Sequence, residues 1–258
     1  LCQQIGSFQN FAVPLVWEVF EKKGNSNTRE RKQLMCRLFA LVGKENIEVV
    51  LADREFIGND WFNFLHEHGI PFVIRIKKNS YVWYREKRTC VFELVSSASR
   101  NKKLRFTVKI NGIDVLLCAT RSTENELVIL AASTNVPYDP LDTYKLRWMI
   151  EIFFKTTKTQ GFNMEETHMT DPERIKALFA FIALASVCAV QAGIIRNHFK
   201  KIKIKNHGRP AHSLFTYGLD LIRELFRGAT QTWLRVQKDF NLDFLAQPKI
   251  LLYPLEKG

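Results

Sequence analysis

The stretch IEVVLADREFIGNDWFNFLHEHGIPFVIRI, residues 47–76, contains a predicted strand, a predicted helix and a second predicted strand. Ile47 to Ala52 is a short, almost wholly apolar run, which is typical of a strand that is buried on both faces. Asn59 to His68 has a helical pattern that Gly69 closes, and Pro71 to Ile76 returns as a strand. A strand–helix–strand unit of this kind predicts an α/β fold with a layered sheet.

The sequence on either side of this unit adds further strands. Phe11 to Phe20 is apolar and predicts the second arm of a hairpin, and Leu127 to Ser133 predicts another buried strand. Between Lys77 and Glu126, two runs of alternating apolar and polar residues flank Asn111-Gly112, a strong hairpin signal. We therefore expect four parts: 1–76, the first part of the core; 77–126, a β-strand insertion; 127–195, the second part of the core; and 196–258, a basic helical C-terminal region.

The charge balance indicates a polyanionic partner. The chain of 258 residues has 38 Lys and Arg against 26 Asp and Glu, a formal net charge of +12 at pH 7. Such a field favours nucleic acid or an anionic membrane surface, although solvated basic faces without a partner remain the alternative. The five scattered cysteines form no C-x-x-C pair, which favours a reducing, cytoplasmic location and disfavours a disulfide framework or a zinc site.

One segment is long and apolar enough to consider as a membrane span. Ala177 to Ile195 is nearly long enough to cross a bilayer. Basic residues flank it on both sides, so it has no charge asymmetry of the kind that orients membrane helices. We expect a buried core helix and no membrane partner, with a membrane protein as the less favoured alternative.

The segment YKLRWMIEIFFKTTK, residues 144–158, gathers polar residues on one side of a predicted helix. At 100° per residue, the residues that share that side are Tyr144, Arg147, Glu151, Lys155 and Lys158. An ordinary amphipathic helix explains this pattern as well, because Arg147 and Lys155 lie four residues from Glu151 and neutralise it.

Asp53 ends the first predicted strand, and an acid in that position of a basic protein is a natural ligand of a hard divalent cation. Together, Asp53 and Glu151 predict a site for two Mg²⁺ ions, one activating the attacking oxygen and the other steadying the leaving oxygen. Tyr144, Arg147 and Lys158 would then hold the phosphates. The alternative for Asp53 is a structural ion pair with Arg54 or Lys77.

The spacing Tyr144-x₂-Arg147-x₃-Glu151-x₆-Lys158 resembles the Y-R-E-K signature of DDE-type insertion-sequence transposases, in the family called insertion-sequence four. The motif LADREF around Asp53 resembles the second-aspartate motif of the same family. Further similar segments are GIPFVIRIKKN, THMTDPERI and HGRPAHSLFTYGLD, so the likeness covers nearly the whole chain.

This resemblance implies a ribonuclease H-like catalytic domain with a mixed sheet, flanking helices and a β-rich insertion. It implies a DNA transposase that cuts double-stranded DNA at transposon ends and joins them to target DNA with two Mg²⁺ ions, for which Mn²⁺ is a possible substitute. Asp53 and Glu151 would be the second and third metal carboxylates, and Tyr144, Arg147 and Lys158 would contact DNA. A homodimer on DNA is the family expectation.

One element of the family pattern is absent from the sequence. The family requires a further aspartate on the first strand of the core, and no aspartate precedes Asp53. We expect that strand, and the family's N-terminal DNA-binding region, to belong upstream of Leu1, and the chain as given to be inactive. A non-catalytic, basic DNA-binding remnant of a transposase is the alternative.

Overall fold

The computed structural model describes residues 2–8, 11–20, 26–156, 162, 164–206 and 208–227. The chain divides into two compact units. The sheet unit lies between Lys22 and Trp148. The helical unit combines the strands near the N-terminus with the helices that follow Met149.

The strands are β1 (Cys2–Phe8), β2 (Phe11–Glu18), β3 (Val50–Ala52), β4 (Phe72–Arg75), β5 (Tyr81–Tyr84), β6 (Lys87–Cys90), β7 (Leu104–Ile110), β8 (Ile113–Arg121) and β9 (Leu127–Ser133). The helices are α1 (Thr28–Val42), α2 (Asn59–Glu67), α3 (Val91–Val95), α4 (Pro140–Thr143), α5 (Trp148–Lys155), α6 (Pro172–Phe199) and α7 (Leu214–Arg227).

The sheet unit contains a mixed sheet with the strand order β3-β4-β9-β8-β7-β5-β6. Strands β3 and β4 are parallel and are joined by α2, as parallel neighbours require a crossover connection. The other neighbouring pairs are antiparallel. The prediction of an α/β fold with a mixed sheet and flanking helices is therefore confirmed. β1 and β2 form a separate two-stranded sheet, as the hairpin prediction required.

The β3–α2–β4 unit is present, but its first strand is shorter than predicted. The strand begins at Val50, whose amide donates to the carbonyl oxygen of Pro71 at 2.8 Å. Ile47 instead closes a 3₁₀ turn, donating its amide to the carbonyl oxygen of Lys44 at 3.2 Å. A backbone group that is already used in a turn cannot also join the sheet, so the prediction of a strand from Ile47 was wrong at that end.

The hairpin that Asn111-Gly112 predicts is confirmed between β7 and β8. Both turn residues have positive φ, 52° for Asn111 and 80° for Gly112, as the tight turns favoured in hairpins require. The register pairs Ile110 with Ile113 and Lys109 with Asp114. The turn therefore fixes which side chains of the two strands share a face of the sheet.

The segment predicted as one helix over residues 144–158 is divided. Tyr144–Arg147 forms a 3₁₀ turn, α5 follows, and Lys158 lies outside the described residues. Tyr144 is buried in an apolar cluster of the sheet unit, which a helical wheel that places it on a polar side does not foresee. Residues three apart eclipse in a 3₁₀ helix, so Tyr144 and Arg147 still share a side.

The helical unit has a core in which aromatic rings from β2, α5, α6 and α7 meet. Phe11 stacks on Phe215 with ring centroids 5.2 Å apart, and Phe153 contacts Phe179 edge to face at 5.9 Å. The indole nitrogen of Trp17 donates to the carbonyl oxygen of Lys176 at 3.3 Å, which ties β2 to the first turns of α6.

Among the described residues, α6 is the helix that is long and apolar enough to cross a membrane by length and composition. One face of α6 lies in the core of the helical unit through Phe179, Ile182 and Val190. On another face Phe181 and Leu184 are exposed. The prediction that this segment is a buried core helix is therefore confirmed for one side of α6.

Candidate functional site

Asp53 follows β3 directly and caps the 3₁₀ turn Arg54–Phe56. Its Oδ1 accepts a hydrogen bond from the backbone amide of Arg54 at 2.8 Å. The side chain is 38% exposed, and its other carboxylate oxygen, Oδ2, faces Arg147. The strand end and the cap together hold a carboxylate at the surface of the sheet unit.

The carboxyl ends of β3 and β4 lie at the same sheet edge because the two strands are parallel. Asp53 and Arg75 are therefore placed on neighbouring strand ends. In open α/β sheets this edge is where ligands usually bind. Arg75 is not among the residues predicted from the sequence, although its position at the end of the next strand along the chain was a usable signal.

Arg147 joins Asp53 to Tyr144. Its Nη1 lies 4.0 Å from Oδ2 of Asp53, and its guanidinium carbon lies 5.6 Å from the centroid of the Tyr144 ring. The structure thus brings together three of the residues selected from the sequence. The ion-pair alternative for Asp53 named Arg54 or Lys77, whereas among the described residues the ion-pair partner is Arg147.

Tyr144 is a buried phenol beside two charged groups. Burial raises the pKa of Tyr144 to about 12, with the Arg147 guanidinium opposing the rise and the Asp53 carboxylate adding to it. Its hydroxyl is buried and forms no well-aligned hydrogen bond with any described residue. A buried hydroxyl with poorly aligned partners costs free energy, and the DNA contact predicted for Tyr144 remains a prediction.

A basic groove of about 570 Å³ lies at the sheet edge, in the sheet unit. Its charged lining residues are Arg54, Arg75, Lys77, Lys78, Arg121 and Glu126. Arg75 forms an ion pair with Glu126, and Arg121 donates to the carbonyl oxygens of Ala98 and Asn125 at 3.0 Å. Five cations against one acid make the groove complementary to an anion.

A protein-family model described as the transposase DDE domain matches residues 11–188, more than half of the chain. This chain belongs to the DDE-domain transposases. The matched range contains every site residue that the sequence analysis selected, from Asp53 to Lys158.

Comparison with solved structures finds similarity to the piggyBac transposase synaptic complex with hairpin DNA, determined by cryo-EM. The identity is 13% and the TM-score 0.44, with 96% of this chain and 50% of that chain covered. The chain thus spans about half the length of the transposase that it matches. No curated protein matches the sequence.

Glu151 and Lys158 are the other two site residues predicted from the sequence of this transposase. Glu151 is half-buried on α5, in the part of that helix that belongs to the helical unit. Lys158 lies outside the described residues. The roles selected for both residues remain predictions.

The carboxylate oxygens of Asp53 are of the type that binds a divalent cation, as one of several ligands. Mg²⁺ usually takes one or two carboxylates and completes its shell with water and substrate phosphates. Within the described ranges, no group of three or more His, Cys, Asp or Glu side chains is arranged to hold a metal ion. The role of Asp53 as a metal ligand therefore remains a prediction.

Proposed function

We propose that this transposase chain binds the phosphates of double-stranded DNA at transposon ends with the Asp53–Tyr144–Arg147 cluster, for metal-dependent strand cleavage and transfer to target DNA. The observation that carries the proposal is the 4.0 Å approach of Arg147 to Asp53 beside the buried Tyr144 side chain. It joins a potential metal ligand, a cation and a neutral hydrogen-bond donor at one sheet edge.

The carboxylates in this proposal are Asp53 and Glu151. When bound, two Mg²⁺ ions, or Mn²⁺ in their place, would supply the activation of the attacking oxygen and the stabilisation of the leaving oxygen. The contribution of Asp53 is an oxygen ligand whose position is fixed by the Arg54 amide. Arg147 balances the charge of Asp53 while no cation is bound.

Three residues are proposed to contact phosphate. Arg147 offers planar N–H donors that match a phosphate, and Lys158 adds a point charge. Tyr144 is proposed as a neutral hydrogen-bond donor, because a tyrosine hydroxyl is protonated at physiological pH. The basic groove continues the positive surface from Arg54 to Lys78, which supports a DNA path along this edge of the sheet.

The finer assignment is to the insertion-sequence four family, supported by the spacing of Tyr144, Arg147, Glu151 and Lys158 in the sequence. That family uses three carboxylates, and residues 1–52 of this sequence contain no aspartate. We therefore expect these 258 residues alone to bind DNA without cutting or joining it. A homodimer on DNA belongs to the same proposal.

The test compares Arg147→Ala with Lys145→Ala, two cations of the same 3₁₀ turn. Lys145 is 75% exposed and pairs with Asp142, so it serves as the matched control. We expect Arg147→Ala to weaken binding of a duplex oligonucleotide about tenfold, as the loss of a charge-assisted hydrogen bond predicts. The slope of log affinity against log salt should fall by about one, as the loss of one phosphate contact predicts.

Fluorescence anisotropy of a labelled duplex across a series of salt concentrations measures both quantities. If both variants lose affinity equally, binding is a diffuse effect of the net charge. The proposed role of the Asp53–Tyr144–Arg147 cluster is then wrong.

The net charge of +12 also suits a second candidate, a DNA-binding remnant of a transposase with no catalytic role. Such a protein keeps the basic surface and makes no use of Asp53 and Glu151. The two candidates differ in whether a divalent cation changes the affinity for DNA, because only a metal site links the carboxylates to phosphate.

A further inference from the structure

The outer face of β5 carries two large aromatic side chains that are exposed. Tyr81 is 58% and Trp83 53% exposed, whereas Val82 between them is 1% exposed. Successive side chains of a strand point to opposite faces, so Tyr81 and Trp83 lie side by side on one face. The ring of Tyr84 packs edge to face on Phe106 on the other side of the sheet. We call the exposed pair with its neighbouring cations the aromatic face.

Two cations lie beside these rings. The Arg88 guanidinium is 4.6 Å from the centroid of the Tyr81 ring, and Arg88 is also the cross-strand partner of Trp83 on β6. On the other side Trp83 pairs with Lys109 of β7. The register places one acid, Asp114, next to Lys109 at the end of this face. Residues 77–90 hold five Lys and Arg against one Glu, so the surroundings of the rings are positive.

The aromatic face lies on the same side of the sheet as Tyr144. Trp83 pairs with Lys109, and Thr107, two residues before Lys109 on β7, lies on the same side of the sheet. Thr107 pairs with Leu116 of β8, and Leu116 pairs with Ala132 of β9, so these residues also lie on that side. Leu116 and Ala132 pack in the same cluster as Tyr144. With strands spaced about 4.8 Å apart, β5 lies roughly 14 Å from β9 across the sheet.

We propose that the aromatic face binds unpaired nucleotides of DNA by stacking bases on Trp83 and Tyr81, with Arg88 and Lys109 against the phosphates. Exposed aromatic rings within a positive surface are the features that proteins use to bind single strands. In a duplex the bases stack on one another, so their faces are not available to stack on Trp83 and Tyr81. This inference deepens the proposed function, since it extends the DNA path from Tyr144 and Arg147 along one face of the sheet.

The test measures binding of a short oligothymidylate and of a blunt-ended duplex with the same number of phosphates and no unpaired nucleotide. We expect Trp83→Ala to weaken oligothymidylate binding on the order of tenfold and to change duplex binding less than about twofold. Trp83→Phe keeps a stacking ring and should stay within about threefold of the parent chain. The thermal unfolding midpoint should be unchanged in both variants, because the side chain is exposed.

Intrinsic fluorescence gives a second readout that a purely structural role would not move. Oligothymidylate should quench the tryptophan emission of the parent chain, and Trp83→Phe should lose most of that quenching while it retains binding. Equal losses on both nucleic acids, or no loss on either, overturn the proposal. If the parent chain fails to bind oligothymidylate, the proposal is also wrong.

The two proposals can fail separately. A selective loss in Trp83→Ala with no effect of Arg147→Ala on the duplex would sustain the aromatic face and reject the proposed Asp53–Tyr144–Arg147 cluster. The reverse result would reject only the aromatic face.

Discussion

Tyr144 makes the stability of the sheet unit sensitive to alkaline pH. Its pKa is raised to about 12 by burial, whereas a tyrosine in an unfolded chain has a pKa of about 10. The folded chain therefore holds this proton more tightly, and the stability it contributes below pH ~10 is lost as the pH rises towards ~12. Between pH ~10 and ~12, the unfolding free energy of the parent chain should therefore fall by about 2 kcal/mol more than that of Tyr144→Phe.

Urea unfolding at the two pH values measures this difference, and Tyr81→Phe is the control because Tyr81 is 58% exposed. The parent chain and the control should show the same alkaline loss. If Tyr144→Phe shows that loss too, the phenol is not buried as described.

At the scale of single residues, the sequence predicted which side chains carry a site better than it predicted which side chains are buried. Asp53 and Arg147 were selected by residue type and spacing, and the structure brings them to 4.0 Å. Arg31 was not selected, because an arginine in a charged helical segment is usually solvated. Yet it is 6% exposed, donates to the carbonyl oxygen of Glu55 at 3.0 Å and covers the ring of Phe56 at 4.4 Å. Arg31 thus fixes the turn that follows Asp53.

The pairing of α6 with α7 depends on two glycines at the element scale. A Cβ built on Gly218 would overlap the carbonyl oxygen of Ala189, and one on Gly193 would overlap that of Leu214. In an isolated helix, replacing Gly by Ala stabilises by about 1 kcal/mol. Here the helices must separate to admit the methyl group, so we expect Gly218→Ala to lower the unfolding free energy by about 2 kcal/mol.

Chemical denaturation measures this loss, with Phe226→Ala as a control on the same helix. Phe226 is 84% exposed, so its truncation should cost less than about 0.5 kcal/mol. A stabilised Gly218→Ala chain would mean that α6 and α7 do not approach this closely.

Elements with strong local signals were predictable, and elements set by distant partners were less so. Asn27 and Glu30 form the capping box that begins α1, and Asn111-Gly112 forms the predicted turn, because both depend on neighbouring residues alone. The 3₁₀ turn at Tyr144–Arg147 depends on burial of a ring against strands far away in sequence. The spacing of apolar residues within this segment therefore does not predict that packing.

At the scale of the whole molecule, the net charge of +12 indicated a polyanion without indicating where it binds. The basic groove takes its cations from Arg54, Arg75, Lys77, Lys78 and Arg121. They come from segments that only the strand order brings to one sheet edge. The fold class followed from the β3–α2–β4 unit, whereas the groove required the order of all strands between β3 and β8.

The response of DNA affinity to Mg²⁺ separates a metal-using transposase from a remnant. In a chelating buffer, the Asp53 carboxylate opposes phosphate, so Asp53→Asn should bind a duplex more tightly than the parent chain. Added Mg²⁺ should raise the parent affinity about fivefold by bridging carboxylate and phosphate, and should leave Asp53→Asn and Glu151→Gln unchanged.

Asp142→Asn is the control for this measurement, because Asp142 is 57% exposed and pairs with Lys145. It removes the same charge away from the site, so its response to Mg²⁺ should equal that of the parent chain. Anisotropy titrations with a labelled duplex, with chelator and then with Mg²⁺, measure all four chains. An equal response to Mg²⁺ in every chain would mean that neither carboxylate holds a cation against DNA, which leaves the basic remnant as the function that the charge and the groove support.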